Sequence, residues 1–226
     1  MRITILGDSW GYPFEPTAYT PPPGVDPQHI RIRQPDPSHT HVANRLRTSH
    51  NLVNTARPGS GNFAAINRAL THEADLLIWF HTETLRDRPR GQEFYVETLA
   101  QELAVEAYHQ FHELETHLGA QAIVIGGQAP VYTQQYLEIC NTPLLLIPNW
   151  HSSILGETLP WVHWLNTLDV FEDPLCLDSA EDKLRMLEQA NTILDLDSAS
   201  ELFPDNAHPG RVAHDALFNQ ITDLIE

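Results

Sequence analysis

Five short apolar runs limit what this chain can fold into. They are Ile3 to Leu6, Leu52 to Asn54, Leu76 to Phe80, Ala122 to Ile125 and Leu144 to Ile147. Continuous apolar runs of this length fit strands buried on both faces, as in a parallel sheet. Between them lie segments whose apolar residues step by three and four, the period of a helix packed along one stripe. The longest runs from about Glu93 to Leu118, with Val96, Leu99, Leu103, Ala107, Phe111, Leu114 and Leu118 expected inward and Gly119 at C′. Shorter helices are expected over His41 to Thr48 (Val42 and Leu46 inward), Phe63 to His72, Ser179 to Leu194, and after Pro209. In the last of these, Val212, Ala216, Leu217, Ile221 and Leu224 are expected inward. Strands alternating with helices imply an α/β fold, a doubly wound parallel sheet with helices on both faces and right-handed crossovers.

At 226 residues the chain suits one domain, 1–226, with a long proline-rich insertion loop at about 10–38. That loop follows the first strand and either walls one side of a site there or is a stiffened surface loop. The formal net charge of −17 argues against nucleic acid or an anionic membrane as partner. With only two cysteines, Cys140 and Cys176, no disulfide framework is expected. The chain enters its first strand without a charged-then-apolar leader, and no run approaches the ~20 apolar residues of a membrane helix, so a cytoplasmic protein without membrane insertion is expected.

The first strand ends in Gly7-Asp8-Ser9-Trp10. A hydroxyl at the C-terminal end of a strand lies where open α/β sheets bind ligands. Near the other end stands Asp205-Asn206-Ala207-His208. A carboxylate three residues before a histidine can reach Nδ1 and leave Nε2 for a serine, the logic of a hydrolase triad. Asn54 with Gly59 five residues on makes a third block. These blocks, in this order, resemble the SGNH or GDSL hydrolase family. Its fourth mark, Gly-x-Asn-Asp after the third strand, is replaced here by Phe80-His81-Thr82-Glu83.

The resemblance implies a three-layer α/β/α, flavodoxin-like fold with strand order 2-1-3-4-5. It implies Ser9, His208 and Asp205 as the catalytic residues of an esterase or O-deacetylase. The oxyanion hole would be made by the backbone N–H groups of Ser9 and Gly59 and by Thr82 in place of the family's asparagine, with His81 the competing donor. The substrate would be a small ester, an acetylated carbohydrate or a lipid, with no metal or organic cofactor. The missing asparagine also admits a weak or non-catalytic carbohydrate-binding or structural module of the same fold. Asp8 is expected to brace the turn rather than move protons.

Other readings of the same residues compete. Gly7-Asp8-Ser9-Trp10-Gly11 fits the literal nucleophile-elbow pattern of α/β-hydrolases, but that elbow comes after several strands. Gly59 and Gly61 can simply make a tight turn, and Asn62 can cap a helix starting at Phe63. Histidines 112 and 117 flank an imperfect zinc-protease motif. Five residues apart on a helix, they point about 140° from each other, so no metal is expected there. Trp150, Trp161, Trp164 and Phe171 suit either core packing or an apolar pocket wall. Oligomeric state is not legible at this level.

Overall fold

In a computed structural model of the chain, the structure describes residues 1–12, 41–87, 97–127, 131–150, 209 and 211–226. Five strands form one parallel sheet in the order β2-β1-β3-β4-β5. They are β1 (Arg2–Gly7), β2 (Asn51–Asn54), β3 (Leu76–His81), β4 (Gln121–Gly126) and β5 (Leu145–Ile147). Among the described residues the helices are α1 (Val42–Leu46), α2 (Asn62–Ala69), α3 (Glu97–Leu118), α4 (Thr133–Ile139) and a closing α5 (Arg211–Ile225). A 3₁₀ turn, Thr84–Asp87, follows β3.

Strand alternation divides the core into two layers. Ile3, Ile5, Leu76, Ile78, Phe80, Ile123 and Ile125 face α1 and α5. Leu6, Leu77, Trp79, Ala122 and Val124 face α2, α3 and α4. All six residues of β3 are buried, as expected of the middle strand of a covered sheet. The flavodoxin-like three-layer arrangement is therefore the observed one.

The helix stripes needed correction. On α3 the buried line is Ala100, Ala104, Ala107, Tyr108, Phe111, Leu114 and Glu115, while Leu99 and Leu103 are only half-buried. On α5 it is Ala213, His214, Leu217 and Ile221. Ala216 and Leu224, expected inward, are exposed. The helical period was right, but polar residues, His214 and Glu115, occupy inward positions that hydrophobicity alone gave to their neighbours. Arg45 of α1 ties α5 down by pairing with Asp215 and lying over the Phe218 ring.

The end of α3 follows the Schellman pattern: Gly119 N–H donates to Thr116 O at 3.4 Å and Ala120 N–H to Glu115 O at 3.1 Å. Helix α4 had not been expected. The expected helix over 179–194 and nearly all of the proline-rich loop lie outside the described residues.

Candidate functional site

Because β2 and β3 flank β1, the chain leaves β1 towards one side and returns on the other. Such a reversal opens a crevice at the C-terminal ends of the two strands. Gly7 ends β1 with φ +134°, and a side chain there would overlap the Phe80 carbonyl oxygen. Only glycine serves both constraints, so the chain can leave β1 sharply into Asp8 and Ser9.

Asp8 is the organising side chain of that crevice. Its carboxylate is 6% exposed and three donors converge on it. Trp10 N–H donates to Oδ1 at 3.0 Å, Thr82 Oγ1 donates to Oδ2 at 2.8 Å, and Arg86 Nη1 donates to Oδ2 at 3.1 Å. A buried charge is tolerated when it is paired and fully hydrogen-bonded, as here. The expected bracing role of Asp8 is what these bonds do: they hold the turn carrying Ser9, itself 9% exposed, to the end of β3.

Thr82 is fixed in turn by Asn62. Asn62 Oδ1 accepts Thr82 N–H at 3.0 Å and its Nδ2 donates to Thr82 O at 3.1 Å. Asn62 is thus not a helix cap. Helix α2 starts at Asn62 itself, with Gly61 in the N-cap position. The Asp87 carboxylate supplies the cap, accepting the Asn62 and Phe63 N–H groups at 2.8 and 3.1 Å. Burial pushes the Asp87 carboxyl above its ordinary pKa, while these N–H donors pull it back. Arg86 and Asp87 were missed in the sequence, where a charged turn gives no periodic signal.

The expected oxyanion donors fall as follows. Gly59 has φ +70°, and among the described residues nothing lies within 4 Å of where a side chain would be. Asn54 ties its loop to the Ser9 turn: Nδ2 donates to Gly11 O at 2.8 Å and Oδ1 accepts Ala56 N–H at 2.9 Å. The single hydroxyl proton of Thr82 is directed at Asp8, so the hydroxyl must rotate away to serve an oxyanion. His81 is fully buried between Trp79 and Tyr108, at centroid distances of 5.1 and 5.8 Å. Burial presses its pKa down to about 3, which keeps the ring neutral.

A second histidine approaches the serine turn. His41 Nδ1 accepts Ala43 N–H at 3.0 Å as the cap of α1, which leaves Nε2 protonated and donating to Trp10 O at 3.0 Å. Both nitrogens are committed, so His41 positions Trp10 and is not a base. Trp10 and Trp150 meet edge to face at 5.7 Å in the core, which settles Trp150 as packing. Asp205, His208, Trp161, Trp164 and Phe171 lie outside the described residues.

Among the described residues, no helix is long and apolar enough to cross a membrane. The chain matches no protein-family model and no curated protein. The family resemblance therefore stands on its three blocks of residues.

Proposed function

We propose that this chain is a serine hydrolase of SGNH/GDSL type, cleaving a carboxylic ester through an acyl-enzyme on Ser9. The observation that carries the reading is the rigid turn at the β1/β3 crevice, where three donors fix Asp8 next to Ser9. A nucleophile must be held still relative to its oxyanion donors, and a braced turn does this without using the serine itself.

In this reading His208, oriented by Asp205, takes the Ser9 proton as Oγ attacks the ester carbonyl. The N–H groups of Ser9 and Gly59 receive the developing negative charge. The protonated His208 then gives its proton to the departing alcohol. Water, activated by the same imidazole, releases the acid from Ser9. The scheme uses no metal or organic cofactor. A small ester, an acetylated carbohydrate and a lipid all suit it.

A fluorophosphonate probe tests this, because it labels only an activated serine. One adduct per chain on Ser9, lost in Ser9→Ala and in His208→Ala, is the expected result. Folded wild-type protein that stays unlabelled overturns it. That outcome would favour a second reading, a non-catalytic or weak module of the same fold. The engagement of the Thr82 hydroxyl with Asp8, where the family has an asparagine amide, is the observation on its side.

A further inference from the structure

The chain holds 30 acidic residues against 13 lysines and arginines, yet Arg57, Arg68 and Arg86 lie on or reach to the β2–α2 loop and the Gly7–Asp8 turn. Arg86 is paired with Asp8, and Asp87 is turned onto the start of α2. Arg57 and Arg68 have no carboxylate partner among the described residues. Arg68 reaches from α2 across the β2–α2 loop, where Nε donates to Thr55 O at 2.9 Å and Nη2 to Ser60 Oγ at 2.8 Å. Arg57 is one of the four loop residues between those anchors. Its N–H donates to Gly7 O at 3.1 Å and its carbonyl accepts Ser60 N–H at 3.1 Å.

Arg57 therefore sits on the loop that is tied to Gly7, two residues before Ser9, and Arg68 of α2 reaches over to that same loop. Burial, and after it the charge of Arg57, lowers the Arg68 pKa, so the two cations feel each other. Bracing the loop accounts for Arg68. It does not account for exposed Arg57 beside it, since neutral partners leave the like charges uncompensated. Arg57, Pro58 and Gly59 are exposed, and among the described residues nothing stands within 4 Å of a side-chain position at Gly59, so none of the described residues covers this part of the loop.

We propose that Arg57 and Arg68 form a subsite for an anionic group of the substrate, a carboxylate or phosphate, so that the ester cleaved at Ser9 is an acidic one. This rests on the hydrolase reading above. Guanidinium forks recognise the oxygens of both anions with paired charge-assisted hydrogen bonds. In a chain of net charge −17, a local cation pair also offsets the general repulsion of an acidic ligand.

The test compares kcat/KM for matched esters. 4-Nitrophenyl hemisuccinate is set against 4-nitrophenyl butyrate for a carboxylate, and 4-acetoxyphenyl phosphate against phenyl acetate for a phosphate. At least one charged member should be preferred by about tenfold, the scale of a partly exposed charged hydrogen bond, and which pair shows it identifies the anion. The preference should fall with added salt. Arg57→Gln should bring the ratio near one, Arg57→Lys should restore part of it, and Arg47→Gln, at the end of α1, should leave it unchanged. Inorganic phosphate or succinate should raise the Tm of wild type and not of Arg57→Gln. If no ester is cleaved but the Arg57-dependent Tm shift is present, the subsite stands and the hydrolase reading falls. If esters are cleaved with no charged preference, or with one that survives Arg57→Gln, the subsite is overturned.

Discussion

The residue on which the site depends most is one whose chemistry is indirect. Thr82→Val keeps the shape of the side chain and removes the donor to Asp8 Oδ2. A buried carboxylate that loses a donor should cost about 1–3 kcal/mol of stability, read by urea unfolding. Since Asp8 precedes Ser9, kcat should also fall about tenfold or more with little change in KM. Thr82→Ser, which keeps the hydroxyl, should recover most of both. Wild-type stability and rate in Thr82→Val would show that the bond does no work. The Gly-Asp-Ser turn was legible in the sequence because its residues are adjacent. Its bracing was not, because Thr82 and Arg86 lie 74 and 78 positions away and side-chain pairing at that separation leaves no local pattern.

At the scale of elements, strands were easier to read than helix ends. An apolar run between turn residues marks its own limits, and β3 ran one residue beyond its predicted end, to His81. A helix start depends on whatever satisfies its free N–H groups. For α2 that group is Asp87, 25 residues from Asn62, so the adjacent residues alone point to Asn62 instead. Asp87→Ala should destabilise the fold by about 0.5–2 kcal/mol in thermal or urea unfolding. Asp87→Asn should lose less, since its amide oxygen can still accept. An Asp87→Ala protein as stable as wild type would mean that water caps α2 equally well.

For the whole molecule, two buried groups on the α3 side pull stability in opposite directions with pH. Burial pushes the Glu115 carboxyl from 4.5 up to about 7, although Asn141 N–H donates to it. Between those values the folded chain keeps a proton that the unfolded chain has lost, so rising pH favours unfolding. His81 is pressed from 6.5 down to about 3, so the unfolded chain takes up a proton that the folded one refuses, and falling pH favours unfolding. From 4.5 to 6.5 the two slopes, each about 1.4 kcal/mol per pH unit, cancel. Glu115→Gln should leave His81 unopposed, so stability should climb as pH rises through that window. Chemical denaturation at several pH values reads it: a flat profile in Glu115→Gln would show that His81 takes up its proton as readily folded as unfolded, and a climb already present in wild type would show that Glu115 ionises normally. The sheet that α3 covers also decides how quickly a site can come into being. β1 sits between β2 and β3, whose first paired residues, Asn51 and Leu76, lie 49 and 73 positions beyond Arg2 and Ile3. Contacts of such sequence separation close slowly, since chain entropy is lost before any pairing is gained. The serine turn thus acquires its shape only when distant segments meet, and recovery of Ser9 labelling after dilution from denaturant should lag behind the recovery of helical signal.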